Sequence, residues 1–186
     1  METRRKPGYK PKTLDAQALL NYAARLLAGR ALSSSELRAR LTKKAENPDD
    51  VEPVLGKMKD LGYLNDTRFA ASYANWRRED QGFGKTRVLR DLMSRRVAPA
   101  VAKQAVSDAF QEVDEVEMIE SFLARKYRGR NLTLYLQEEK NLASAFRRLR
   151  AAGFAMGNSI RVLKRYAARA EELESMDEAE EPPEAV

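Results

Sequence analysis

Apolar side chains in this chain recur every three or four residues and show no convincing alternation, a pattern that confines it to packed helices. Leu19, Ala23, Leu26 and Leu27 lie on one face of a first helix, which Gly29 can stop. Ser33 and Glu36 form a Ser-x-x-Glu capping box ahead of Leu37 and Leu41. A third helix opens at Pro48-Asp49-Asp50, with proline at its start and acids in its electropositive first turn. It carries Val51, Val54, Leu55, Met58 and Leu61, and Gly62 ends it. Asp66 can cap a fourth helix bearing Phe69, Tyr73 and Trp76. Beyond Gly82 and Gly84, helices are predicted over 84–95, from Ala98-Pro99, over 114–127, up to Ala152, and over 157–173. β-branched residues are sparse, so the expected class is all-α.

The helices also repeat. With Leu41, Leu92 and Leu149 in register, Leu37, Val88 and Ala145 stand four residues earlier, and Glu46, Val97 and Phe154 five later. A second helix then opens with Val51, Val101 and Ile160. Each unit reads as helix, tight turn, helix, and one more helix apiece makes three tandem three-helix, helix-turn-helix-like modules. Modules this small bury little alone, so neighbours must stack. Helices of ~15 residues and ~22 Å predict an elongated, curved array on the order of 70 Å. The expected divisions are a disordered basic segment 1–13, a first repeat with a linking helix over 14–80, a second repeat over 81–128, a third over 129–170, and a disordered acidic tail over 171–186.

Composition removes most chemistry. The 186 residues include no cysteine and no histidine. Disulfides, thiolate or imidazole metal sites, cysteine nucleophiles and the Ser-His-Asp triad are therefore excluded. A binding protein is expected rather than an enzyme, with no cofactor and no metal. Lys and Arg number 34 against 28 Asp and Glu, for a net charge of +6. The first thirteen residues carry +4, the last sixteen carry −8, and the body over 14–170 carries +10. A basic body suits a polyanionic or acidic partner. No apolar run approaches the ~20 residues of a membrane span, and no apolar core follows the basic amino terminus, so a cytoplasmic protein is expected.

Gly82-Phe83-Gly84-Lys85-Thr86 ends like a phosphate-binding P-loop, but Glu79 stands where that motif needs its first glycine, and a helix precedes it instead of a strand. An intermodule turn is the better reading. Phe69, Tyr73 and Trp76 could stack bases, although aromatics at helical spacing are expected in the core. Asp49-Asp50 and Ser33 to Ser35 read as helix-start residues. The remaining signal is basic. Arg38, Arg40, Lys43 and Lys44 gather at the second helix. Arg77 and Arg78 follow the aromatics, and Lys85, Arg87, Arg90, Arg95 and Arg96 decorate the fifth helix. Arg147, Arg148 and Arg150, then Arg161, Lys164 and Arg165, belong to the third module. Arginine outweighs lysine here, as planar contacts to phosphate or carboxylate favour.

Gly62-Tyr63-Leu64-Asn65-Asp66-Thr67-Arg68-Phe69-Ala70 resembles the signature of the RecX family, bacterial regulators of the RecA recombinase. Ser35-Glu36-Leu37-Arg38-Ala39-Arg40-Leu41 resembles the family's first-repeat pattern, and Gly84-Lys85-Thr86-Arg87-Val88-Leu89-Arg90-Asp91-Leu92 the second. Leu149 with Gly153-Phe154 resembles the third, so the likeness covers about residues 16–168. Of these, Gly62, Tyr63, Leu64, Asp66, Arg68, Phe69, Gly84, Leu92, Gly153 and Phe154 are expected to serve mainly the fold. Arg95-Arg96-Val97 stands where the family has a Lys-Gly-hydrophobic turn, so the left-handed residue of that turn is expected to be an arginine. Ala152-Gly153-Phe154 stands in place of Arg-Gly-Phe.

The resemblance implies tandem three-helix repeats that lie in the groove of the RecA–single-stranded-DNA filament. They block its growth or promote its disassembly, and so restrain ATP hydrolysis, strand exchange and co-protease function without catalysis of their own. Homologous recombination, DNA repair and the SOS response are the implied setting. Arg38, Arg40, Arg87, Arg90, Arg147 and Arg148, on corresponding helices, are expected on the inner face of a monomer. Bare single- or double-stranded DNA stays open as a further ligand, and the acidic tail is expected to screen the basic face. Two other readings stand beside this one: a helix-turn-helix transcriptional regulator on duplex DNA, and a scaffold for an acidic protein.

Overall fold

Capping residues set where the helices begin in the computed structural model, which describes residues 13–173. The expectations for 1–12 and for 174–186 lie outside the described residues. Asp15 accepts from the Ala18 N–H and opens α1 (Ala16–Gly29). Ser33 and Glu36 close the capping box of α2 (Ser34–Thr42), each side chain accepting from the other's backbone N–H. Asn47 caps a 3-10 turn, Pro48–Asp50, that runs into α3 (Val51–Asp60). Gly62 then reverses the chain at φ 74°, and α4 (Asp66–Glu79) follows. Its start differs from the expectation. The Asn65 side chain accepts from the Arg68 N–H at 2.8 Å, while the Asp66 carboxylate accepts from the Ser34 N–H at 2.7 Å. Next come α5 (Lys85–Ser94), α6 (Pro99–Ala109), α7 (Glu115–Lys126), α8 (Leu132–Tyr135), α9 (Glu139–Ala152) and α10 (Met156–Leu163). A 3-10 segment, Ala168–Leu173, follows α10. No strand occurs among the described residues, only an isolated bridge between Leu14 and Ala45.

The register read from the sequence is the core. Leu41, Leu92 and Leu149, and Leu37, Val88 and Ala145 four residues earlier, are all 0% exposed. Each leucine so buried contributes about 1.5–3 kcal/mol of transfer free energy. The paired helices of the three repeats are α2 with α3, α5 with α6, and α9 with α10, each pair in direct contact. Helix α1 packs against α3 in the first module, and α7, which the sequence placed with the second repeat over 81–128, packs against α10 instead. Leu19, Leu37, Leu41, Leu55 and Met58 share the first core. Ile119, Leu123, Phe146, Leu149, Phe154 and Ile160 share the core of the third.

The chain divides into two compact units. The first takes in the described residues up to Phe69 together with Arg95–Ala98, and the second takes in Ala70–Ser94 and the described residues from Pro99 onward. Helix α8, a single turn capped by Asn131, escapes the sequence pattern because four residues are too short to show a period. The long final helix expected over 157–173 is shorter. Bonds from Arg165 N–H to the Val162 carbonyl and from Tyr166 N–H to the Leu163 carbonyl tighten its end into a turn. Ala170 and Leu173 are buried, so packed structure continues three residues past the position expected for the tail.

In the second unit two helix ends meet through backbone. The Gly84 N–H donates to the Ala152 carbonyl at 2.9 Å and the Thr86 N–H to the Gly153 carbonyl at 3.2 Å. A Cβ on Gly84 would overlap the Gly153 carbonyl, and one on Gly153, which sits at φ 90°, would overlap the backbone of Arg87. Gly84→Ala and Gly153→Ala are each expected to cost about 1–3 kcal/mol by overpacking. Gly56→Ala, in the middle of α3 with open space around its Cβ, is expected to stabilise by about 0.5–1 kcal/mol. Urea unfolding of the three variants checks this contrast.

Candidate functional site

The basic residues singled out in the sequence divide by what holds them. In the second unit the Asp91 carboxylate is shared by two arginines. Arg77 donates from Nε at 2.9 Å and from a second guanidinium nitrogen, while Arg87 donates at 3.2 Å. The Arg77 guanidinium also lies 4.5 Å from the Phe83 ring centre and its side chain is only 15% exposed. Arg87 reaches the Ala151 carbonyl at 3.2 Å. Arg78 is taken up by the Ala109 carbonyl and by Glu79. In the first unit Arg95 lies 3.4 Å from Glu36 and over the Phe69 ring. Arg38 grips Glu52 with two bonds, of 2.6 and 2.9 Å, in solvent. Lys164 holds Glu171 at 2.6 Å, and Arg165 pairs with Glu120. The hydrogen bonds from Arg38 and Lys164 hold Glu52 and Glu171 below the usual carboxylate range, so both pairs are formed at neutral pH.

The other cations face solvent. Lys43, Lys85, Arg90, Arg96, Arg147 and Arg148 are exposed and make no ion pair with a described residue, and Arg40 and Lys44 are half-buried. Their spacing follows the repeat. Arg90 and Arg147 stand two residues before the register leucines Leu92 and Leu149, and Arg40 and Arg148 stand one before Leu41 and Leu149. The acids that occupy the inward arginines were missed by sequence reasoning. Only Arg87 and Asp91, four residues apart on one helix, carried a local signal.

Signature residues mostly serve the fold. Leu64 and Phe69 are buried, Arg68 donates to the Gly62 carbonyl at 2.6 Å, and Leu92 and Phe154 are core. Tyr63 departs from this role at 63% exposed. The aromatic stripe is also corrected: only Phe69 is core, Tyr73 is half-buried, and Trp76 is 45% exposed. Arg77 lies against both of the outer rings, so guanidinium rather than hydrocarbon covers them. The glycine-rich turn is structural, because the Gly84 and Thr86 N–H groups are already bonded to Ala152 and Gly153 and cannot cradle a phosphate. A cavity of about 400 Å³ in the second unit is rimmed by Glu79, Glu112, Asp114 and Glu117 against Arg78 and Arg125, the wrong sign for a polyanion. No helix among the described residues is long and apolar enough to cross a membrane.

Comparison with known proteins bears on the same modules. Residues 20–58 match the family described as RecX, first three-helix domain, and residues 65–106 match RecX, second three-helix domain. Helix α4, taken from the sequence as a linking helix of the first repeat, therefore falls within the second domain's match. Regulatory protein RecX of Halorhodospira halophila is 32% identical over 112 residues, covering 60% of this chain and 68% of that protein. Regulatory protein RecX of Deinococcus radiodurans is 35% identical over 118 residues, covering 62% of this chain and 56% of that protein, so the match spans little more than half of that relative's length. The crystal structure of RecX from Lactobacillus salivarius has the same fold, with a TM-score of 0.62 over 81% of this chain and 96% of that one at 17% identity.

Inward and outward arginines should separate in stability. Arg77→Ala leaves Asp91 without its closest partner in a half-buried site and is expected to cost about 1–3 kcal/mol. Arg90→Ala and Arg147→Ala are expected to stay within about 0.5 kcal/mol of the parent. Denaturant midpoints measure the difference.

Proposed function

This chain belongs to the RecX family, and on that premise we propose that it is a negative regulator of the RecA recombinase. In this reading it binds in the groove of the RecA–single-stranded-DNA filament. It blocks extension or promotes disassembly, and thereby lowers ATP hydrolysis, strand exchange and co-protease activity without catalysing a reaction. The observation that supports it is the pairwise recurrence of cations without an ion pair to a described residue: exposed Arg90 and Arg147 correspond in the second and third modules, half-buried Arg40 and exposed Arg148 in the first and third, with Lys43 and Lys85 nearby in sequence. A repeating set of cations suits a repeating lattice of phosphates or carboxylates, on which weak contacts add through effective concentration. Arg38, Arg87, Lys164 and Arg165, already paired with acids, would take part only by exchanging partners.

ATP hydrolysis by the cognate RecA on single-stranded DNA, with this protein titrated in, tests the reading. Inhibition well below one protein per RecA is expected. The combined Arg90→Glu, Arg147→Glu and Arg148→Glu variant is expected to weaken inhibition at least about tenfold, a loss of about 1.4 kcal/mol, with an unchanged urea midpoint. No inhibition by the folded parent would overturn the proposal, and sequence-selective duplex binding would then point to a transcriptional regulator.

The acidic residues after Leu173 supply a separate test. Residues 174–186 hold six acids and no base. If they screen the basic face, truncation after Leu173 raises affinity for bare single-stranded DNA at low salt. Unchanged affinity would remove that role.

A further inference from the structure

Arg96 is the one non-glycine residue among those described whose backbone lies at positive φ, at 59°. There an L-residue's Cβ crowds the following carbonyl oxygen, a contact that glycine avoids. The flanking residues impose the conformation. On one side, the Arg95 carbonyl accepts from the buried Ser33 hydroxyl at 2.6 Å, and the Arg95 guanidinium lies on Glu36 and Phe69. On the other side, Val97 is buried. With both neighbours pinned, residue 96 must turn the chain between them. Its own side chain offsets none of the strain. It is exposed and makes no hydrogen bond, ion pair or ring contact with a described residue.

The charges around this turn are arranged for an anion from outside. Arg30 and Arg95 both lean on one oxygen of Glu36, at 3.9 and 3.4 Å. Asp66, the other acid at the start of α2, is engaged by the Ser34 N–H. Arg30 and Arg95 are thus both taken up by Glu36, and Arg96, next in the chain, makes no such pairing with a described residue. Because the turn is clamped, its Cα is fixed before any partner arrives, which lowers the ordering cost of a contact.

We propose that Arg96 is a phosphate contact for single-stranded nucleic acid, held out on a left-handed turn that is maintained at the expense of backbone strain. The choice of ligand rests on the filament reading above. The guanidinium fork fits phosphate oxygens, and the chain's excess of base over acid supplies the surrounding field.

The test separates strain from contact, because glycine at this position removes both. The full chain, Arg96→Gly, Arg96→Lys and Lys103→Ala are titrated with a dT oligonucleotide across a series of salt concentrations, and their melting temperatures are recorded. Lys103 is an exposed cation on α6 and serves as the charge control. Arg96→Gly is expected to melt higher than the parent, yet to bind several-fold more weakly at low salt. Its log–log salt slope should be shallower by about 0.7, the loss of one single-strand phosphate contact. Arg96→Lys should keep the parent's slope without the gain in melting temperature, and Lys103→Ala should change neither.

An unchanged slope in Arg96→Gly overturns the proposal, as does an equal change in Lys103→Ala or an absence of oligonucleotide binding by the parent. Weaker filament inhibition by Arg96→Gly with its oligonucleotide binding intact also overturns it, and moves the contact to a protein carboxylate. If the parent binds the oligonucleotide with the expected Arg96 dependence but leaves RecA hydrolysis untouched, the filament reading fails and the phosphate contact stands.

Discussion

The carbonyls of Ala152 and Gly153, at the end of α9, accept from the N–H groups of Gly84 and Thr86, at the start of α5. Every helix leaves acceptors unsatisfied at one end and donors at the other, and here two ends satisfy each other directly. The partial charges of the two helix ends are also opposite. This contact requires glycine on both sides, since a Cβ on either residue would overlap the other segment's backbone. Arg87 then reaches the Ala151 carbonyl and meets Arg77 on the Asp91 carboxylate. The α5 residues that remain outside, Lys85 and Arg90, stay free for a partner. A contact between two backbones thereby sorts the arginines of α5 into structural and available ones.

That sorting changes what the basic composition means. An arginine already bonded to an acid and stacked on a ring adds little to attraction at a distance, because its charge is neutralised locally. Arg77 and Arg95 are of this kind, and their removal should register as lost stability. Arg90, Arg147 and Arg148 are of the other kind, and their removal should register in binding. Arg96 differs from both. It makes no hydrogen bond, ion pair or ring contact with a described residue, and its backbone is strained by neighbours that are themselves tightly held, so the conformation belongs to the turn while the side chain belongs to solvent.

Much of the fold was legible because it is governed by local physics. The capping box at Ser33 and Glu36 spans three residues, the α-helical period spans about four, and the register of Leu41, Leu92 and Leu149 is a repetition of the same period. The left-handed residue in the Arg95–Val97 turn was expected from the family resemblance instead, because a glycine stands there in the family's pattern. Errors fell where a local signal competed with a distant partner. Asp66 has the chemistry of a cap, yet its carboxylate is drawn to Ser34, thirty-two residues away, and Asn65 caps in its place. Trp76 has the spacing of a core residue, but Arg77 lies against its ring and the ring stays at the surface.

The amino-acid sequence by itself determined the all-α class, the capping box at Ser33 and Glu36, the three-module repeat and the absence of thiol and imidazole chemistry. These follow from residue types and short spacings that hold in any packing. Tertiary structure alone decided which arginines are spent inside the protein. Arg77 meets Asp91 across fourteen residues, Arg95 meets Glu36 across fifty-nine, and Arg87 meets the Ala151 carbonyl across sixty-four. No periodicity encodes such pairings, because a charge three turns away on the same helix and one on a distant helix look alike until packing brings a single one of them within hydrogen-bond reach.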